Sequence, residues 1–207
     1  PQGLLSVALA ALGLNSGQLG QLKALEWSND SKYLLLQHTS ADGKVNFAIF
    51  NREDPLKSFN VNSLFNLQPT KVSLMNGKAD RLYMYFASGG ILRIGEVKDK
   101  TIGSQIFDQV LDYKQFDDGR FIYATTKNAT SGMVVVNAYV GEKTIYVGET
   151  DYDPSGQYYL DAGQFSGDWY YAIGSKKSEK VHIYKNPQNF SLFFEKIACL
   201  LTRYTVE

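Results

Sequence analysis

The stretch WSNDSKYL, residues 27–34, joins a bulky apolar residue to an apolar strand through a turn of short polar residues. The same arrangement recurs three times, with Met75, Phe116 and Phe165 in the place of Trp27. The four positions lie 48, 41 and 49 residues apart. The turns after them are rich in Asn, Asp and Gly, which tolerate positive φ or hydrogen-bond their own backbone and so close hairpins tightly. Spacing and turn chemistry together indicate an internal repeat.

Each repeat contains an apolar strand, the polar turn, an aromatic-rich strand, a second turn and a third strand. The repeats cover residues 22–54, 70–99, 110–142 and 160–187. A repeat of ~40–50 residues built from such strands is typical of a propeller blade. The sequence therefore predicts an all-β fold, a β-propeller with four visible blades of antiparallel strands. The competing interpretation is a β-sandwich of unrelated hairpins, and four blades would either close a small ring or form an arc of a larger one.

The apolar pattern predicts the blade boundaries. The middle strands are nearly continuous apolar runs, which suits strands covered on both faces. With fourth strands predicted at 57–64, 101–107 and 143–149, the blades span 22–66, 67–107, 108–150 and 151–187. We expect residues 1–21 to pack on the blades or to supply a closing strand. Residues 188–207 are expected to be a helix or irregular, because the apolar spacing in 190–201 fits a short amphipathic helix about as well as a strand.

Composition excludes several classes of function. The chain has 21 basic and 21 acidic residues, so no excess charge attracts it to nucleic acid or to an anionic membrane. Cys199 is its only cysteine, which excludes an internal disulfide and a cysteine-based zinc site, and we expect it to be a buried apolar side chain. The apolar run 4–14 is shorter than the ~20 residues that span a bilayer. Since the chain begins with Pro1, we expect it to be part of a longer protein, and any membrane anchor to lie outside it.

The repeats resemble the degenerate blades of WD40-like and TolB-like propellers, in which a bulky residue and a Ser-Pro-Asp-Gly-Lys turn precede an apolar strand. WSNDSKYL at 27–34 is the nearest match, followed by FDDGRF at 116–121. The segments NREDP, RLYMYFASGGILRIGEV and GQFSGDWYYAIG also look like propeller regions beside PEGA domains in bacterial envelope proteins. This resemblance implies an extracytoplasmic bacterial protein, membrane-anchored or secreted, and a cytoplasmic location is the alternative.

Three groups of residues suggest a site. DYDPSG at 151–156 has the opening of a calcium loop, but Ala162 occupies the twelfth position, where a bidentate Glu is required. We therefore interpret it as a turn with capping side chains and predict no metal. Asp117 and Asp118 could divide acid and base roles, but their place in a blade turn favours a structural role. The third group could line a ligand groove, although we expect it to be core on one face and rim on the other: Tyr158, Tyr159, Trp169, Tyr170 and Tyr171.

The absence of a catalytic motif favours a non-catalytic interaction or scaffold module with no cofactor. We expect an unidentified protein partner, no nucleic acid, and self-association if sheet edges are left open. The alternative is a propeller-type hydrolase or lyase acting on glycan or peptide through channel carboxylates. A structural protein of the cell envelope is a third possibility.

Overall fold

The computed structural model describes residues 10, 13, 22–116, 119–140, 143–178, 180–186 and 191–197. These residues form four separate four-stranded antiparallel sheets, each with its strands in chain order. Each sheet is one blade, so the prediction of an all-β fold and a β-propeller is confirmed. The chain divides into two compact units, Pro1–Phe107 and Asp108–Glu207, which hold blades 1 and 2 and blades 3 and 4.

Besides its strands, the first unit contains the short helix α1 and a 3-10 turn at Pro55–Lys57. Its elements are, in order, β1 (Leu22–Trp27), β2 (Tyr33–Thr39), β3 (Val45–Asn51), β4 (Phe59–Asn60), α1 (Val61–Phe65), β5 (Lys71–Met75), β6 (Lys78–Phe86), β7 (Ile91–Glu96) and β8 (Thr101–Phe107).

The second unit consists of strands throughout its described elements. They are β9 (Val110–Gln115), β10 (Phe121–Thr125), β11 (Met133–Val140), β12 (Lys143–Asp151), β13 (Tyr158–Phe165), β14 (Asp168–Ser175), β15 (Lys180–Asn186) and β16 (Ser191–Ile197).

Each unit has a core between its two blades. Leu35, Phe47 and Ile49 of blade 1 pack with Leu74 and Leu82 of blade 2, and all five are fully buried. The second core joins residues of β10 and β11 to residues of β13 and β14. All five residues of β10 are buried, as its continuous apolar run predicts. Burial of apolar surface between stacked blades is therefore what holds each unit together.

The predicted fourth strand at 57–64 is wrong for most of its length. β4 has two residues and pairs only with Ala48 and Ile49, and the chain then turns into α1. The Asn62 side chain takes over the pairing: its Oδ1 accepts from the Phe47 N–H at 2.7 Å and its Nδ2 donates to the Val45 carbonyl at 3.3 Å. One amide side chain thus satisfies the open edge of β3, so a longer β4 is not needed.

Two other expectations need correction. Residues 188–207 were expected to be helical or irregular, but Ser191–Ile197 forms β16, antiparallel to β15. Pairing with the edge of β15 satisfies backbone groups that a helix would leave open. The bulky residues are also not equivalent in space: the Ser28 N–H donates to the Tyr33 carbonyl, as the Phe116 N–H does to the Arg120 carbonyl. Phe116 therefore corresponds to Ser28 and not to Trp27. The segments 1–9, 11–12 and 14–21, and Cys199, lie outside the described residues.

Candidate functional site

A cleft of about 500 Å³ opens between blades 1 and 2, at the end of the sheets where the β1–β2 and β5–β6 turns lie. Ligand pockets commonly have volumes of about 300–1,000 Å³. Its apolar lining consists of three half-buried residues, Tyr33, Phe59 and Val97, and the buried Ala79. The opening therefore combines apolar walls with the polar residues of two turns.

The β1–β2 turn forms one wall through a chain of side-chain hydrogen bonds. The Ser28 hydroxyl donates to Asp30 Oδ1 at 2.6 Å and accepts from the Tyr33 N–H at 2.9 Å. Asp30 Oδ1 also accepts from the Lys32 N–H at 3.1 Å. The Ser28 hydroxyl and then the Lys32 N–H lower the pKa of Asp30 below its usual value. Asp30 is thus held ionised, which makes it a poor proton donor.

Direct hydrogen bonds join the two blades behind the cleft. The Asn29 N–H donates to the Gly77 carbonyl at 2.9 Å, and its side-chain amide donates to the Asn76 carbonyl at 3.2 Å. Glu26 Oε2 accepts from the Leu74 N–H at 3.0 Å. Gly77 has φ +65°, and a Cβ at this position would collide with the Asn29 side chain. The Asn76-Gly77 turn therefore fixes the back wall.

The loop between β3 and β4 forms the opposite wall. Asn51 Oδ1 accepts from the N–H groups of Glu53 and Asp54 at 3.0 and 2.9 Å. Lys57 Nζ lies 3.0 Å from Asp54 Oδ2, and this hydrogen bond raises the pKa of Lys57 above its usual value. Lys57 therefore stays protonated and adds a positive charge to the cleft, which Phe59 also lines.

The charged side chains at the cleft differ in whether they form ion pairs. Lys78 and Lys98 line it and are exposed, and no ion pair involving either is found among the described residues. Asp80 is exposed at the same wall. Three lysines (57, 78 and 98) and two aspartates (30 and 80) line the cleft, so its lining carries one excess positive charge.

In the second unit, the same end of blades 3 and 4 is filled by side chains. The guanidinium carbon of Arg120 lies 3.4 Å from the centre of the Trp169 ring, and Arg120 Nη1 donates to Tyr171 Oη at 2.8 Å. Such a stacked arrangement combines a cation–π contact with a hydrogen bond. Here the chain itself occupies the space between two blade turns.

Of the three groups suggested by the sequence, the one at 151–156 has a structural role, and the pair Asp117 and Asp118 lies outside the described part of the chain. Asp153 is 5% exposed, and its carboxylate accepts from the N–H groups of Ser155 and Lys177 at 2.8 and 3.1 Å. The hydrogen bonds of Ser155, its hydroxyl first, and that of the Lys177 N–H lower the pKa of Asp153. The segment 151–156, whose first residue ends β12, is thus a strand end and turn in which the Asp153 carboxylate caps backbone amides. Asp117 and Asp118 lie outside the described residues.

The aromatic group at 158–171 divides between core and surface, as predicted. Tyr158 and Tyr171 are buried, whereas Tyr159 is 39% exposed. Trp169 and Tyr170 are half-buried, and both rings contact cations, Arg120 and Lys185 respectively. The aromatic group is therefore split between the core and the surface of unit 2.

The cleft itself was not anticipated from the sequence. One signal was visible: after the two-residue turns Asn76-Gly77 and Ser166-Gly167, the second residue of the next strand is Ala79 in blade 2 and Trp169 in blade 4. A small residue where the other unit has an indole leaves room between blades. Knowing that both residues face the neighbouring blade required the three-dimensional structure.

No helix in the described part of the chain has the length and apolar character needed to cross a membrane. No family model and no curated protein matches the sequence. Among solved structures, the chain is similar to one from work on two prolyl endopeptidases, with 11% identity, a TM-score of 0.54, and coverage of 95% of this chain and 34% of that one. The chain thus spans about a third of that protein's length.

Two β-propeller domains are also similar to it. The propeller of the Trilobed protease from Pyrococcus furiosus has 10% identity and a TM-score of 0.44, with coverage of 83% of this chain and 68% of that one. The propeller of Cps50 (Swd1) from Myceliophteria thermophila has 10% identity and a TM-score of 0.44, with coverage of 86% and 73%. At such identities, the similarity to the prolyl endopeptidase structure concerns the fold alone.

Proposed function

We propose that this chain is a non-catalytic binding module and that the cleft between blades 1 and 2 is where it holds a protein partner. The observation that carries the proposal is the cleft itself, about 500 Å³ in volume and lined by Tyr33, Phe59 and Val97 with exposed lysines beside them. Binding sites typically combine a mostly apolar lining with a few polar groups that fix orientation.

The charged groups of the cleft suit binding better than proton transfer. Hydrogen bonds keep Asp30 ionised, and the ion pair with Asp54 keeps Lys57 protonated. A general acid or base needs a pKa near the working pH, and both shifts move these groups away from it. The rigid hydrogen-bonded turns on either side supply a preorganised surface, which lowers the entropic cost of binding.

Selection from a library of random peptides displayed on phage tests this function directly. The 207-residue chain is immobilised, and the selected peptides are measured against the wild type, the Ala79→Trp variant and the Lys23→Gln variant. Ala79→Trp fills the cleft, whereas Lys23 is an exposed residue of β1 that does not line it. We expect peptides whose affinity falls at least tenfold on Ala79→Trp and is unchanged on Lys23→Gln.

A second blocking variant protects the test against misfolding. Asp80→Trp places a ring at the cleft from an exposed position, so the core of the unit is not disturbed. Peptides that bind both blocked variants as tightly as the wild type, or a selection that yields no specific peptide, would overturn the proposal.

The setting in which the module works is proposed from sequence resemblance alone. The WD40-like and TolB-like blades, and the segments similar to propellers beside PEGA domains, favour a role within a larger envelope protein of a bacterium. Immunoblotting of fractionated cells with an antibody against this chain tests that setting. Recovery in the cytoplasmic fraction only would refute it.

A further inference from the structure

The filled end of unit 2 offers an internal counterpart for the open cleft of unit 1. Matching hydrogen bonds close the first turn of each unit, from Ser28 to Tyr33 and from Phe116 to Arg120. Tyr33 in blade 1 therefore occupies the place that Arg120 has in blade 3. Both residues project toward the following blade: Tyr33 packs on the core shared with blade 2, and Arg120 lies on Trp169 of blade 4.

The second turns of the two units correspond in their closing pair only, because the β5–β6 ladder shifts register directly after it, from Met75–Lys78 to Leu74–Leu82, whereas the β13–β14 ladder is regular. Met75 pairs with Lys78 across the turn of blade 2, and Phe165 pairs with Asp168 across the turn of blade 4. The residue that follows is Ala79 in one case, a member of the core shared by blades 1 and 2, and Trp169 in the other, packed against the core shared by blades 3 and 4. The second residue after the turn is thus an alanine at an open cleft in unit 1 and an indole stacked on Arg120 in unit 2.

We infer that the partner of the cleft is an extended peptide segment that inserts an aromatic side chain, flanked by acidic residues, between Tyr33 and Ala79. This inference rests on the proposed binding function and names the class of ligand. An aromatic ring in this place packs against Tyr33 and Phe59, and pairs of aromatic rings prefer such offset or edge-to-face contacts. Aromatic side chains in desolvated pockets are also the usual anchors of protein interfaces.

Charge selects the residues beside that ring. In blade 4, Asp168 precedes the indole and pairs with Lys185 at 2.6 Å. In blade 2 the corresponding position is Lys78, and Lys98 lies at the same cleft; both are exposed, with no ion pair among the described residues. These two lysines outnumber the exposed Asp80 at the same wall, so they favour acidic residues of an incoming peptide over basic ones, an electrostatic preference that weakens with salt.

Three defined peptides test the inference by fluorescence anisotropy on the intact chain. They are fluorescein-labelled Gly-Glu-Trp-Glu-Gly, Gly-Glu-Ala-Glu-Gly and Gly-Lys-Trp-Lys-Gly. We expect the first to bind with a Kd below ~1 mM and the other two to bind at least tenfold more weakly, a difference of about 1.4 kcal/mol. The double variant Lys78→Gln/Lys98→Gln should bind the first peptide at least fivefold more weakly. Raising the salt concentration should likewise weaken the binding of this peptide to the wild type.

The control is Lys23→Gln, which removes the same charge from an exposed position outside the cleft and should leave the Kd unchanged. Equal binding of all three peptides, no binding of the first, or an affinity that ignores the two lysines would overturn the inference. The outcome is separable from that of the proposed function. If the phage selection yields peptides that Ala79→Trp abolishes, yet these lack an aromatic residue beside an acid, the function stands and this ligand class is wrong.

Discussion

Replacement of Asn62 by Ala probes how the cleft is supported, because this buried side chain substitutes for a missing strand. Asn62 is 4% exposed and binds the backbone of β3 at Phe47 and Val45. The substitution leaves the Phe47 N–H buried without an acceptor, at a cost of about 1–3 kcal/mol, and removes a weaker bond to Val45 worth about 1 kcal/mol. The bond between Asn62 and Gln68 adds little, since the exposed Gln68 is solvated after the change.

We therefore expect Asn62→Ala to lower the free energy of unfolding by about 2–4 kcal/mol. Urea denaturation followed by circular dichroism measures this change, and hydrogen exchange locates it, with the Phe47 amide exchanging at least tenfold faster. The same variant should also weaken the binding of ligands at the cleft. Phe59, which lines the cleft, lies between β3 and α1, and the Asn62 side chain that holds these two elements together is lost.

Asn60→Ala is the matched control. Asn60 caps α1 through an exposed bond from the Ser63 N–H at 2.8 Å, so its loss should cost about 1 kcal/mol and leave the exchange of Phe47 unchanged. An Asn62→Ala variant within 0.5 kcal/mol of the wild type, with the Phe47 amide still protected, would refute the strand-substitution argument.

Three further predictions concern the second unit. Gly174→Ala should destabilise the chain by about 3 kcal/mol, because the new Cβ collides with the backbone carbonyl of Lys180. A Cβ at Gly163 in the same blade meets no atom within 4 Å, so Gly163→Ala should stay within ~0.5 kcal/mol of the wild type. Thermal melts compare the two variants. Arg120→Met should cost about 1–2 kcal/mol in urea denaturation by removing the stacked cation and its hydrogen bond, and no change would show that the stack contributes nothing. The lowered pKa of Asp153 contributes stability that is present above the unfolded pKa of ~3.9 and is lost as the pH falls through the folded value. Asp153→Asn should therefore flatten the dependence of the free energy of unfolding on pH below about 4. An unchanged slope in an acid titration of the variant would contradict this.

Much of the fold could be predicted because its signals are local. The continuous apolar run at 121–124 predicts a strand covered on both faces, and every residue of β10 is buried. The strand predicted at 101–107 is β8 with the same limits. Positive φ at Asn76 and Gly77 is what the residue types of that turn favour.

The errors arose where one local pattern is compatible with two structures. The apolar spacing of 190–201 suits a helix and a strand alike, and the open edge of β15 selects the strand. At 57–64 the local signal for a fourth strand was overridden by Asn62, whose amide satisfies the edge of β3 across 15 residues of sequence. Neither outcome follows from propensity, because each depends on a hydrogen-bonding partner that is distant in the chain.

The sequence by itself determined the repeat, the strand order within each blade and the chemistry of the turns, since these depend on alternation and on residues that accept positive φ. Only the tertiary structure decided that Tyr33 and Ala79 face each other across an open cleft while Arg120 and Trp169 close the matching place in unit 2. The reason is that a cleft between blades is the volume left by side chains about 50 residues apart in sequence, and that volume is fixed by how the sheets stack.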